Sequence, residues 1–158
     1  MSEFAGRPNR IPWPPILYAA AIALSVALAV WVRLPWFGAP LADILFAAGL
    51  VTMAVAIGLD FYAMKTLHAG KTTIMPNKGS AHFVHNGPYA FTRNPIYLGN
   101  TLLMIGGGLV SGAAWFFPLA FFAAFLTQKL AIEREEKHLA ERFGKPYRDY
   151  CKKVRRWI

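Results

Sequence analysis

The sequence predicts an all-α, multi-pass integral membrane protein: about four transmembrane helices followed by a cytoplasmic C-terminal helix. Three observations carry this prediction. The 158 residues are 56% hydrophobic, and the apolar residues gather into runs long enough to cross a bilayer. The formal net charge is nevertheless +9, with the basic residues lying between and after the runs, as suits loops held against anionic lipid. Glycine and proline then punctuate the chain where a hairpin must turn. Basic charge alone would also suit nucleic acid, but apolar runs of this length speak against a soluble basic domain, so no nucleic-acid partner is expected. A single cysteine, Cys151, leaves no intrachain disulfide and no cysteine-cluster metal site. It stands in a basic tail that could suit lipidation, but the final Arg-Trp-Ile carries no prenylation box.

The first residues, with Arg7, Arg10, Pro12, Pro14 and Pro15, read as a basic extended lead that delays helix formation to about Ile16. Ile16 to Val32 carries no charge, and Trp31 at its end with Arg33 and Trp36 just beyond suit the interface, giving the first span. It is longer than a signal-peptide core and lacks a cleavage site. Pro35, Gly38 and Pro40 then make a short turn into a second run, Leu41 to about Met64, so residues 1–64 read as an antiparallel helical hairpin. Asp60, near the far end of this run, is read as an interfacial ion pair with Lys65 or His68, against the alternative of a functional carboxylate at the membrane edge.

Lys65 to Thr92 is the longest polar region. His82 and His85 invite a metal reading, but the other histidines are His68 and His138, and no carboxylate or cysteine stands at ligand spacing, so no metal site is predicted. The third span is Ile96 to Val110, whose Gly106, Gly107 and Gly108, with Gly112 beyond, suit close approach of helices. A fourth, Ala113 to Leu130, tolerates Pro118 in its first turn. Lysine and arginine concentrate in the lead, in the Lys65 to Arg93 loop and in the tail. Both termini and the long loop are therefore expected in the cytoplasm.

After the last span, a helix from Ala131 to Gly144 places Ile132, Leu139, Ala140 and Phe143 on one face, with Glu136 inside that stripe and Glu135 on its flank. A carboxylate there needs a partner. The candidates are Arg93 or a nearby lysine, or a cationic or hydroxyl-bearing ligand held against the stretch from Gly87 to Gly99. In that stretch Asn94 and Pro95 read as an N-cap and first-turn pair. The helix N-terminus beside Arg93 would suit a carboxylate or phosphate, or Arg93 is simply a snorkelling side chain. Tyr147, Tyr150 and Trp157, interleaved with Arg148, Lys152, Lys153, Arg155 and Arg156, suit the headgroup layer.

These residues together resemble the isoprenylcysteine carboxyl methyltransferases and their prokaryotic relatives, within the wider group of membrane phospholipid methyltransferases. The resemblance runs from Ala69-Gly70-Lys71-Thr72-Thr73 and Pro76 through Val84, Gly87-Pro88-Tyr89, Arg93-Asn94-Pro95 and Tyr97-Leu98-Gly99, then Glu135-Glu136, Leu139, Phe143-Gly144, Tyr147 and Tyr150. It implies an S-adenosyl-L-methionine-dependent methyltransferase with a lipophilic acceptor, carboxyl O-methylation favoured, in a prokaryotic cytoplasmic membrane, with the bilayer itself as surroundings and no protein partner implied. It makes residues 65–158 the cofactor-binding, catalytic half of a single membrane domain. It implies Arg93, Tyr97 and Glu136 as catalytic residues. His82, Val84, His85, Gly87, Tyr89, Asn94, Pro95, Tyr97, Glu135 and Glu136 would enclose the cofactor. Glu136 with Glu135 would bind its ammonium or ribose hydroxyls, and Arg93 would orient a carboxylate. Two departures stand out: Asn94 occupies the place of a histidine in the eukaryotic enzymes and cannot titrate near neutral pH, and Val154 is followed by Arg155 where the tail motif has proline. The competing readings are a membrane reductase of the sterol-reductase type using a nicotinamide cofactor, and a non-catalytic small membrane protein.

Overall fold

The computed structural model describes residues 11–70 and 83–158; the basic lead with Arg7 and Arg10, the Lys71 to Pro76 part of the resemblance and His82 lie outside the described residues. Six α-helices follow in order: α1 (Trp13–Trp31), α2 (Leu41–Ala69), α3 (Pro95–Ser111), α4 (Phe116–Thr127), α5 (Glu133–Phe143) and α6 (Lys145–Lys153). A 3-10 turn, Gly87–Ala90, precedes α3, and a π turn, Gln128–Ile132, joins α4 to α5. Among the described residues the only β pairing is an isolated parallel bridge between Thr92 and Arg155.

The spans are where the apolar runs predict them, and their ends differ for physical reasons. α1 begins at Trp13, not Ile16. Pro14 and Pro15 fall inside its first turn, where the missing N–H groups have no partner to lose. α2 runs on past Met64 to Ala69 because Lys65, Thr66 and His68 are compatible with a helix leaving the apolar layer. The fourth span begins at Phe116, not Ala113, and does not stop at Lys129. Through the π turn it continues into the charged α5, so Phe116–Phe143 is one rod that leaves the membrane without a break. Three helical stretches, Trp13–Trp31, Leu41–Ala69 and Phe116–Phe143, are long and apolar enough to span. α3 has 17 residues. That is roughly 26 Å against roughly 30 Å of hydrocarbon, the short end of the spanning range.

Packing corrects the predicted hairpin. α1 does not lie along α2; it packs on α4, while α2 packs on α3. Glycine decides this pairing. A Cβ at Gly49 would fall 2.8 Å from the Cβ of Leu109 and 2.9 Å from the Gly106 carbonyl, and one at Gly106 would fall 2.6 Å from Met53 Cγ. The two backbones therefore touch, a contact that larger residues would prevent. Gly112, at φ +67, ends α3 in the left-handed conformation against Trp36. Tyr18, Ala21, Met104, Ala120 and Ala123 fill the seam between α1, α3 and α4. Val51, Val55, Ile57, Phe61, Phe121, Phe122 and Phe125 stay exposed, the outward apolar sheath of an integral membrane protein.

Gly106→Ala is expected to lower the melting temperature of detergent-solubilised protein, since overpacking costs about 1–3 kcal/mol. Gly107→Ala should not, because its added Cβ meets nothing closer than Phe116 at 3.7 Å. Equal melting of the two variants would contradict the α2–α3 contact.

Candidate functional site

The polar ends of the bundle converge on the stretch before α3. Gly87, at φ +58, opens the 3-10 turn, and a Cβ there would fall 2.9 Å from Thr66 Oγ1 of α2. Thr92 then bridges to Arg155 of the tail, the Arg93 N–H donating to the Arg155 carbonyl at 3.0 Å. Asn94 does not cap α3 with its side chain. Its Nδ2 donates to the Arg156 carbonyl at 2.9 Å, and its own N–H donates to Thr92 Oγ1 at 3.2 Å. Pro95 has already removed one orphan donor from the helix start, and the tail supplies a carbonyl that outcompetes the local cap.

Consecutive residues on a helix diverge by about 100°. Glu135 and Glu136 use that divergence to meet different partners. Glu135 accepts the Tyr97 hydroxyl at 2.9 Å. Glu136 accepts two hydrogen bonds from Arg156, from Nε at 2.9 Å and from Nη2 at 2.6 Å, and lies 3.2 Å from Arg93 Nη2. Of its two predicted classes of protein partner, Arg93 is present. Arg156 was not anticipated, because the tail offers several cations and nothing local marks one of them. The bidentate bond to Glu136 raises the Arg156 pKa further. Trp157 donates to Gln128 Oε1 of the π turn at 2.8 Å. Arg156 and Trp157 thus lace the tail to the bundle instead of reaching into headgroups as predicted.

Arg93 is the hinge of the arrangement. Its Nη1 donates to Cys151 Sγ at 2.7 Å, and its Nε is buried with no hydrogen-bond partner among the described residues. Together with Glu136, Lys137, Tyr147, Arg148, Cys151 and Arg156 it lines a cleft of about 440 Å³. Nearby, Phe83 is surrounded by His85, Phe143, Tyr147 and Tyr150 at ring separations of 5.1 to 5.7 Å. This places His85 beside the cleft wall through its stacking on Phe83. Val84 packs on the end of α2, where a Cβ on Gly70 would lie 2.5 Å from its Cγ2. Tyr150 donates to the Tyr89 carbonyl at 2.6 Å. Burial pushes the Tyr89 and Tyr150 hydroxyls up, so both remain protonated donors at neutral pH.

Arg93, Asn94 and Glu136 are therefore joined through Arg156, and Tyr97 with Glu135 makes a second contact between the same two segments, with Gly87, Tyr89 and Pro95 shaping the backbone and His82 outside the described residues. Asp60 departs from its predicted role. Among the described residues it forms no ion pair with Lys65 or His68, and its Oδ1 is buried without a partner. No group of three His, Cys, Asp or Glu side chains among the described residues could hold a metal ion.

The family model of phospholipid methyltransferases matches residues 44–146, more than half of the chain. A curated relative, the Delta(14)-sterol reductase TM7SF2 of Mus musculus, is 28% identical over 89 residues, covering 54% of this chain and 21% of the reductase. The solved structure of the eukaryotic intramembrane Ras methyltransferase ICMT (isoprenylcysteine carboxyl methyltransferase) matches with a TM-score of 0.63 at 24% identity, over 92% of this chain and 52% of that one. At that identity the likeness is one of fold. The chain spans about a fifth of the reductase and about half of the methyltransferase.

Arg156→Ala should destabilise the protein by about 1–3 kcal/mol, as expected for losing charged hydrogen bonds at a half-buried carboxylate. Arg156→Lys, which keeps the charge without the fork, should fall between it and wild type. An unchanged melting temperature in Arg156→Ala would show that the tail contact carries no load.

Proposed function

The chain belongs to the phospholipid methyltransferase family, and from that premise we propose that it is a membrane methyltransferase using S-adenosyl-L-methionine and a lipophilic acceptor. The observation that supports this reading is the joining of the Gly87 to Gly99 stretch to α5 through Tyr97–Glu135 and Arg93–Glu136, beside a cleft of about 440 Å³. That volume lies within the usual range for a small-molecule site.

The residues present fit the cofactor. Its carboxylate requires a cation with a free donor, which the unpartnered Nε of Arg93 provides. Tyr147, which lines the cleft and packs edge-on to Phe83, offers a surface to its aromatic part. When bound, the cofactor supplies a methyl group on a sulfonium for in-line displacement. The work of the chain is alignment and exclusion of water. In this reading Arg93 orients a carboxylate, Tyr97 is held in place by Glu135, and Glu136 fixes Arg93. Val84, His85, Gly87, Tyr89, Asn94, Pro95 and Glu135 form the rest of the cofactor enclosure, which His82 would join. Asn94 spends its amide on the Arg156 carbonyl and does not titrate, so it serves as a positioning residue. A carboxylate acceptor needs no base at neutral pH, which keeps carboxyl O-methylation the favoured reaction.

The same reading puts the site and both termini on the cytoplasmic face of a prokaryotic membrane, where the basic loops predict them. Residues 1–158 would then be a single membrane domain, with 65–158 carrying most of the site. The reductase likeness covers 54% of the chain and does not favour a nicotinamide cofactor.

S-adenosylhomocysteine, and not NADPH, should raise the melting temperature of the purified protein. Labelled methyl from S-adenosylmethionine should appear in a lipophilic product when the protein is incubated with a total lipid and peptide extract. Arg93→Lys should weaken S-adenosylhomocysteine binding at least tenfold in calorimetry, the loss of one charged hydrogen bond in a buried setting. Stabilisation by NADPH alone would sink the methyltransferase reading.

A further inference from the structure

Among the described residues, a carboxylate without a partner lies inside the membrane-spanning part of the bundle. Asp60 is on α2, and α2 runs alongside the Gly87 to Gly99 stretch: Tyr62 and Thr66 lie against Gly87, and Asp60 lies against Gly99. α3 makes room for the carboxylate. A Cβ at Gly99 would fall 2.6 Å from Asp60 Cγ and closer still to its oxygen, so glycine is what lets the group lie between the two helices. The Oδ1 atom is nevertheless buried with no hydrogen-bond partner, and no lysine, arginine or histidine among the described residues pairs with Asp60.

Such a group is costly. A carboxylate oxygen held between apolar helices without a partner loses hydration, and a neutral residue of similar size would be more stable there. A ligand that completes the carboxylate accounts for its presence. The charge of that ligand follows from the neighbours. Glu136 is taken by two guanidinium groups, Glu135 accepts the Tyr97 hydroxyl, and Glu133 is paired with Lys129 at 2.8 Å. Of these carboxylates, Asp60 is the one with no hydrogen-bond or ion-pair partner among the described residues. An acceptor-only carboxylate left unpaired between membrane-spanning helices calls for a donor that carries positive charge.

We propose that Asp60 receives an ammonium group and forms a cation-binding position beside Gly99, distinct from the arginine-lined cleft. The assignment rests on the methyltransferase reading for its two sources of ammonium, the amino group of the cofactor or an amine on the lipid acceptor. It also moves the ammonium away from Glu136, where the sequence had placed it.

Asp60→Asn tests it, since the change removes the charge and keeps the shape. Melting without ligand should be unchanged or raised, because a ligand-binding charge burdens the empty fold. If the cofactor is the source, S-adenosylhomocysteine binding falls at least tenfold, while methylthioadenosine, which lacks the amino-acid end, binds as before. If the acceptor is the source, S-adenosylhomocysteine binding is retained, and methyl transfer to phosphatidylethanolamine in mixed phosphatidylethanolamine–phosphatidylglycerol vesicles falls at least tenfold. A variant that melts lower than wild type, or that matches wild type in both binding and transfer, overturns the assignment and leaves the methyltransferase reading intact. A wild-type protein that neither binds S-adenosylhomocysteine nor transfers methyl overturns both.

Discussion

The Glu136 carboxylate, shared between Arg93 and Arg156, is the interaction on which the polar end of the molecule depends. It joins three segments far apart in sequence: the entry to α3, the charged α5 and the tail. Each has little reason to hold its position alone. α5 buries no residue fully, and the entry to α3 is a turn and a single bridge. Only Glu136, with side-chain exposure of 18%, is sheltered enough for the pairing to outweigh the water it gives up, since two guanidinium groups restore the lost hydrogen bonds. The lysine pairs elsewhere, Lys129–Glu133 and Lys152–Asp149, are exposed i,i+4 and i,i+3 contacts of small energetic weight.

The apolar bundle determines where that polar lock can form. Because Gly49 and Gly106 let α2 and α3 touch, the start of α3 is held against the far end of α2, beside Asp60, Tyr62 and Thr66. Because α1 packs on α4, α4 stays fixed as it leaves the membrane. The π turn then carries the rod on into α5, and Trp157 closes on Gln128 within that turn. Irregular helix geometry is tolerated there because a tail side chain binds it.

Much of this was legible in the sequence, for a local reason. Apolar runs report membrane crossing through transfer energy, which sums along the chain, so the spans were found. Glu136 was marked as needing a partner by its place on an apolar face, and Arg93 was named among the candidates. Properties that depend on distant segments were not legible. α4 and α5 were separated because composition changes at Lys129, although nothing there breaks a helix. Asn94 was read as a cap because caps are local, whereas its actual acceptor is the carbonyl of Arg156, 62 residues away. Arg156 itself was one of several basic tail residues, and only the fold selects it. The pairing of α1 with α4 followed from the glycine surface of α3 having claimed α2, which no single helix records.

The position of Asn94 shows why a residue can stand in a site without reacting. A side chain that must donate to a backbone carbonyl has to carry an N–H at every working pH. An aspartate would present lone pairs to the Arg156 carbonyl and repel it, and a histidine would donate in some tautomers and not in others. Asparagine donates from Nδ2 without titrating, and at 2.9 Å it does so with ordinary geometry. That bond fixes the carbonyl of the residue whose side chain grips Glu136, so the amide and the guanidinium hold Arg156 from both ends. What looks from the sequence like the loss of a titratable group is, in the fold, a pH-independent anchor for the tail.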